Sequence, residues 1–554
     1  MIKIIQQSLR FSRFLFKNTN HGERLRFFDY LMLFLLAVGV ALFAKKYINF
    51  SQVPFEDAAI LMRYADHFAS GQGIVWNIGE KPVDGATDFL FMVVIGLVHK
   101  TGIPLEKIVR LICFVAHILT VWIVYLSARK LFVAKPLPAF ITALYLAVGP
   151  GLYYVAAYFG TTFFALFASI AWYYALRIIF DKDTLSNALL FAFSALATGL
   201  IRPEGVFLVG FMLIAMLLIK GYKNSRYALF SFLVVFILLG GAYFLWRWNY
   251  FGHPLPLPFY KKGGGSLYAR SFMISVFYTF RMCLPFLVVF LLGFYSRKTI
   301  RLTLSLLVPI FGFMSMFIFL SNEMNYGARF QYVLLPITLM CWWPLIVAFK
   351  QDFQSIKWNV FSVQKQIILS ILLFIASYYL IHYQYMSSRV GYGKDGRYAV
   401  AMMLSEYEDK NYVMATSEAG LLPFYSKWNA IDTWGLNDTW ITMNGGITEE
   451  YLDRYRPHMI SFHASFSPVA SYAHYEGEWY DMLVTLMNYA DHNGYVLAAA
   501  FGDSPYQTHY YYVRSDFPDS EEIVSRIQSF DYIWYGSGRK SMNYACELPK
   551  NNGN

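Results

Sequence analysis

Apolar residues run in long blocks through the first two-thirds of the chain and break into short alternating stretches after it. The blocks predict membrane-crossing helices at 29–48, 105–130, 137–151, 162–180, 185–201, 204–220, 227–246, 271–296, 302–320, 329–349 and 364–384. That is about eleven spans, judged against the ~20 residues a crossing needs. The block 88–99 has the same character but is only about a dozen residues long, so it is expected to be re-entrant or to lie along the outer surface. The segment 49–104 then forms one long external loop. Within it, Glu56 and Asp57 follow Pro54 in the first turn of a predicted helix whose apolar stripe is Leu61, Tyr64, Ala65 and Phe68. Gly71 and Gly73 end that helix before a polar run at 77–88. Beyond about 386 the period changes: strand-like runs at 412–415, 459–463, 495–499 and 510–513 and a helix near 521–530 predict a mixed α/β unit.

Composition narrows the class. Of 554 residues, 57% are hydrophobic, 19% aromatic and only 15% charged, which excludes an ordinary soluble protein and predicts a mainly α, polytopic transmembrane bundle. The formal charge of +11 changes the picture only through its distribution. Lys3, Arg10, Arg13, Lys17, Arg24 and Arg26 precede the first span, and later basic clusters such as Arg129, Lys130 and Lys135 sit between spans, as orientation signals do. This reading excludes nucleic acid as a partner and places the N-terminus in the cytoplasm. Leu42 stands where a signal-cleavage site before Ala44 would need a small residue, so the first span is retained. An odd number of spans puts the C-terminal unit outside. The expected division is a basic N-terminus at 1–28, a transmembrane module at 29–385 and an extracytoplasmic α/β domain at 386–554.

Two exclusions result. Three of the four cysteines lie inside apolar runs, leaving no disulfide framework or thiolate metal site. The inner loops are short and carry no glycine-rich phosphate loop, so a nucleotide-sugar donor delivered from the cytoplasm has nowhere to sit.

The outer-face residues with chemistry to offer are Glu56, Asp57, Arg63, Asp84, Arg202, Glu204, Arg247, Lys261, Lys262, Glu323 and Arg329. A carboxylate among cations can take a proton from a hydroxyl while Arg or Lys holds a phosphate, which suits displacement of a lipid phosphate by a hydroxyl nucleophile. First-turn acids also commonly serve only the helix dipole, and Arg and Lys at span ends commonly snorkel. Arg202 stands apart because Ile201-Arg202-Pro203-Glu204-Gly205 is a tight turn between two spans. His458, His463, His474, His492 and His509 lack ligand-like spacing and read as ordinary surface or core histidines. The outer-face acids could bind a divalent cation, but no cofactor is specified. Arg281 and His117 lie inside apolar spans, where ionisable groups suggest function, and they support the alternative of a transporter or flippase moving a lipid-linked sugar without chemistry. A membrane protein whose outer domain binds glycans is the remaining reading.

The run Glu56-Asp57-Ala58, Ile60, Arg63-Tyr64-Ala65, Gly71-Gln72-Gly73, Trp76-Asn77, Gly79-Glu80, Val83-Asp84-Gly85 and Thr87 resembles the first external loop of GT-C glycosyltransferases. Within these it is most similar to the terminal β-(1→2)-arabinofuranosyltransferase (AftB-like) type. The resemblance continues in Thr198-Gly199-Leu200-Ile201-Arg202-Pro203-Glu204-Gly205, in Arg247 to Tyr250 with Tyr260 to Lys262, around Glu323 and Arg329, and in Ile431-Asp432-Thr433-Trp434-Gly435-Leu436-Asn437-Asp438. The chain departs from the family at Glu56, where an aspartate is usual, at Gly160-Thr161-Thr162-Phe163, which lacks the usual acid, and at Glu323, again for aspartate.

The resemblance implies an inverting glycosyltransferase of a bacterial inner membrane that moves a sugar from a polyprenyl-phosphate donor to an envelope glycan or glycolipid at the periplasmic face. Asp57 or Glu56 would be the base. Arg202, Arg329, Lys262 and Arg63 would hold the donor phosphate, and Asp84, Thr87, Glu204, Arg247, Tyr260 and Glu323 would contact substrate.

Overall fold

A computed structural model describes residues 25–49, 52–181, 183–263, 267–294, 297–322, 325–352, 375, 396–464, 477–502 and 508–532. Its first part is a helical bundle. Among the described residues, six helices are long and apolar enough to cross a membrane: Phe27–Lys46, Leu105–Leu131, Pro136–Ala156, Thr161–Phe180, Arg226–Phe251 and Thr299–Ile318. Phe89–His99, Leu185–Ile201 and Leu334–Phe349 are apolar but shorter. The expected count of about eleven is therefore not reproduced by length, and the segment predicted at 364–384 falls almost wholly outside the described residues.

Ala269–Phe294 is a single helix of 26 residues, and two local causes keep three of the others short. Arg202 is extended at φ −139° and ψ 134°, and with Pro203 it divides the apolar stretch after Thr184 into helices Leu185–Ile201 and Glu204–Lys220 of 17 residues each. The predicted start at 329 moves to Leu334 because Gly327 takes φ +63° and the side chains of Asn325 and Gln331 hydrogen-bond at 2.7 Å, holding the chain in turns. The 11-residue Phe89–His99 helix is too short to cross, as its length predicts.

Thr161–Phe180 packs against Leu105–Leu126 and Leu185–Ile201, and Glu204–Lys220 lies against Arg297–Ser315. Polar groups inside the bundle are tied to one another. Asp29 of the first span accepts from Arg129 Nε at 2.6 Å and from the Tyr125 hydroxyl at 2.7 Å, so Arg129 anchors two helices as well as carrying orientation charge. His117 lies 3.3 Å from the Tyr332 hydroxyl through Nδ1 and 3.4 Å from the Ala147 carbonyl through Nε2, which gives this buried ring a structural explanation.

The C-terminal part is a five-stranded sheet of β1 (Val413–Thr416), β2 (Asn429–Asp432), β3 (Met459–Ala464), β4 (Tyr495–Phe501) and β5 (Thr508–Arg514), in the order β2-β1-β3-β5-β4. β1 runs parallel to β2 and β3, and β5 runs antiparallel to β3 and β4. Period-two alternation gives the sheet two buried faces. Ile460, Phe462, Tyr510 and Tyr512 pack with Met482, Leu483 and Leu486 of helix Glu478–His492. The alternate residues Met459, Tyr511 and Val513, with Ile523 and Ile527 of helix Ser520–Gln528, belong to one apolar core continuous with the bundle. The C-terminal unit is therefore packed onto the bundle, and β2 is the strand the sequence pattern misses, being four residues long at the sheet edge.

Candidate active site

Helix Glu56–Ala69 begins where Phe55, extended at φ −69° and ψ 156°, wedges its ring among Tyr153, Phe159 and Tyr326. That wedge fixes the first turn and sends its two carboxylates in different directions. Asp57 lines a cavity of about 490 Å³. Its Oδ2 accepts from Arg329 Nη2 at 2.5 Å. Burial alone would raise the Asp57 carboxyl, but the charges of Arg329 and Lys262, the hydrogen bond from Arg329 and the charge of Arg202 hold it below the ordinary carboxylate range.

Glu56 turns toward the C-terminal unit. Its Oε1 accepts from the Gly420 and Leu421 amides at 2.5 and 3.0 Å, and its Oε2 from Arg397 Nη1 at 2.8 Å. Burial, with the Glu418 carboxylate close by, pushes Glu56 up to about 8 despite Arg397 and the two amides.

The cavity has a cationic end and an apolar wall. Arg202, Lys262 and Arg329 line it, as do Thr87, Asp88, Glu204 and Asn437. Arg202 donates to Asp88 at 2.6 Å and is 2.6 Å from Glu204, with its guanidinium 4.8 Å from the Phe330 ring centre. Arg329 lies 4.2 Å over the Phe159 ring. Ile60, Leu61, Phe207, Leu255, Phe259, Phe317 and Leu320 form the wall.

Of the other expected site residues, Asp84, Arg63, Arg247 and Tyr260 lie outside this cavity lining. Asp84 is buried against Arg247, whose Nε donates to it at 2.6 Å, and its backbone carbonyl accepts from the Leu257 amide at 3.0 Å. The pair thus pins the start of helix Leu257–Gly263, which carries Lys262. Burial raises the Asp84 carboxyl in spite of Arg247. Arg63 donates to the backbone carbonyls of Trp76 at 2.9 Å, Trp428 at 3.0 Å and Pro423, and to Asn77 Oδ1 at 3.1 Å, joining the segment 52–88 to the C-terminal unit. Tyr260 packs edge-on to His253 at 6.1 Å, and Glu323 lies outside the described residues.

Other residues at the site carry weak sequence signals. Asp88 reads as a helix cap, and Asn437 comes from the far end of the chain. Asn437 reaches the cavity because Asp432, buried and pushed up to about 6 by that burial, accepts from both its amide and its side chain at 2.9 and 2.8 Å. The Tyr64 hydroxyl then donates to Asn437 Oδ1 at 3.0 Å. His463 and His509, expected to be ordinary surface or core histidines, have a further neighbour. His463 and His509 are directly paired across β3 and β5 and meet Glu418, so distant sequence positions converge to form, among the described residues, a group able to hold a metal ion.

Residues 382–517 match a family model described as a domain of unknown function, DUF8728. No curated protein matches the chain. Among solved structures, the chain is similar to ArnT from Cupriavidus metallidurans bound to undecaprenyl phosphate, at 12% identity and a TM-score of 0.53, over 86% of this chain and 97% of that one. The apo form of ArnT gives 14% and 0.54 over the same shares. The Archaeoglobus fulgidus oligosaccharyltransferase in its apo form gives 12% and 0.51, over 88% of this chain and 74% of that one. The chain thus shares the fold of ArnT and of the Archaeoglobus fulgidus oligosaccharyltransferase, a multi-pass membrane bundle joined here to a C-terminal α/β unit.

Proposed function

We propose that the chain is an inverting glycosyltransferase that moves a sugar from a polyprenyl-phosphate donor to a hydroxyl of a cell-envelope glycan or glycolipid. The observation that carries this reading is Asp57 at the cavity wall among Arg329, Lys262 and Arg202. A carboxylate kept ionised by cations can accept a proton, and the same cations can receive a phosphate. The apolar wall suits a polyprenyl chain, and ArnT, of the same fold, has been crystallised with undecaprenyl phosphate. The basic clusters between spans support a cytoplasmic N-terminus, with the cavity and the C-terminal unit on the outer face.

In the proposed step Asp57 takes the proton of the acceptor hydroxyl as its oxygen bonds to the anomeric carbon. The bond from that carbon to the phosphate oxygen breaks, and its electron pair leaves on the polyprenyl phosphate. Arg202, Arg329 and Lys262 stabilise the charge that develops there, where losing one preorganised donor typically costs ~3 kcal/mol of barrier lowering. Glu56 is assigned a positioning role, because its oxygens face Arg397 and the 420–421 amides.

The test is transfer by the purified full-length protein from radiolabelled polyprenyl-phosphate sugars to envelope glycolipid extract. Asp57→Asn should lower turnover by about 10²–10⁴ with donor still bound, the range for a lost general base. Glu56→Gln should lower thermal stability more than turnover. Normal turnover by Asp57→Asn would overturn the assignment. Movement of labelled lipid across vesicles with no product from any donor would favour the flippase instead.

A further inference from the structure

We propose that Glu418, His463 and His509 form a binding site for a divalent ion of the zinc class at the carboxyl ends of β1 and β3. The fold brings the three together in register. His463 and His509 are directly opposed on antiparallel strands, with rings stacked at 4.5 Å and 11°. Glu418 follows β1, and the loop that carries it is pinned by the Ser417 amide to the Ser461 carbonyl at 3.1 Å, by the His463 amide to Ser417 Oγ at 2.8 Å and by the Glu418 amide to Thr416 Oγ1 at 3.0 Å. The potential ligand atoms all lie within 4.8 Å of one another.

The separations suit the ion. Glu418 Oε1 lies 3.4 Å from His463 Nδ1 and 3.9 Å from His509 Nε2. Zinc bonds to nitrogen and oxygen of about 2.0–2.2 Å in a tetrahedron put neighbouring ligand atoms about 3.4 Å apart, so Glu418 and His463 already stand at that separation, while the two imidazoles must close by up to about 1.4 Å and turn out of their stack to aim both nitrogens at the ion. Two imidazoles and one carboxylate leave a fourth position for water, as in sites with three protein ligands.

The carboxylate is also oriented from behind. Its Oε2 accepts from Arg397 Nη1 at 2.6 Å, and the same nitrogen donates to Glu56 Oε2 at 2.8 Å. An ion on Oε1 would fix Glu418, and through Arg397 the first turn that carries Asp57, as partners behind a ligand orient a metal centre. The metal-binding inference holds independently of the transferase reading.

The test uses full-length protein carrying no polyhistidine tag, stripped with chelator and titrated with Zn²⁺ and with Co²⁺. Wild type should bind one equivalent and give the visible bands of four-coordinate cobalt. His463→Ala and His509→Ala should each weaken binding more than about 100-fold, beyond the 10–100-fold typical of losing an outer partner. His492→Ala, at the exposed end of helix Glu478–His492, should bind as wild type does. Metal should also slow amide exchange at Gly420 and Leu421 in wild type but not in the His463/His509 double variant. Binding of under a tenth of an equivalent by wild type, or unaltered affinity in both single variants, would overturn the proposal whatever the variants' stability.

Discussion

Gly420 of the C-terminal unit meets the first turn of the helix bearing Asp57, and adding a single methyl there tests that docking. Its φ of −98° is outside the left-handed region that favours glycine, and the added methyl is judged by its contacts. An added Cβ would lie 2.7 Å from the Glu56 carbonyl carbon, 2.7 Å from Glu56 Oε1 and closer still to the Glu56 carbonyl oxygen. The carbonyl is backbone in the first turn of a helix and cannot swing aside. Restoring the 3.5–4.0 Å optimum between carbons therefore demands a displacement of about 1 Å.

Such a shift would stretch the 2.5 and 3.0 Å bonds from the Gly420 and Leu421 amides to Glu56. Leaving one buried amide unsatisfied costs about 1–3 kcal/mol, and overpacking a fitted contact about 1–3 kcal/mol. A total near 3 kcal/mol or more corresponds to local opening about 100-fold more frequent, at tenfold per 1.4 kcal/mol. The assay is hydrogen exchange at the amides of 420 and 421 in detergent-solubilised protein. The control is Gly446→Ala, where the new methyl meets nothing within 4 Å. If both variants exchange like wild type, the docking is not held at Gly420 and the positioning role of Glu56 falls with it.

Asp57 has a lowered pKa, so its ionised form, and the stability gained from it, is present above the ordinary carboxylate value near 3.8 and is lost only as pH falls through the lower folded value. The acid limb of the wild-type pH–rate profile for the chemical step should lie below about pH 4, and Arg329→Gln should move it upward; a limb that stays in place refutes the assignment. Arg247→Met leaves Asp84 buried without its partner and should destabilise by about 3–5 kcal/mol, with Asp84→Asn in the same background recovering part of the loss. Thermal inactivation rates read that effect. A raised donor KM would report the loosening of the helix that carries Lys262.

The external-loop helix illustrates how much was legible. Proline, two acids, a stripe at i, i+3, i+4 and i+7 and terminating glycines are local signals, and Glu56–Ala69 is a helix as predicted. The same signals left both carboxylates open as the base, because adjacent residues on a helix point about 100° apart and only their surroundings separate them. Those surroundings are Arg329 from the bundle and Gly420 from the far end of the chain. Arg63 is a second case: its charge is visible in the sequence, whereas its partners in the structure, the carbonyls of Trp76, Pro423 and Trp428, are backbone groups that no residue type announces.

By itself, then, the sequence determined that this is a membrane bundle with a mixed α/β unit after it, and which polar residues interrupt the apolar pattern. Burial period and block length are properties of neighbours along the chain. Tertiary structure alone decided that Asp57 faces the cavity while Glu56 faces the C-terminal unit, that Asp84 and Arg247 form a buried pair, and that Glu418, His463 and His509 converge. Each of these depends on contacts between segments far apart in the chain, where sheet register and helix packing, rather than local periodicity, set which charges meet.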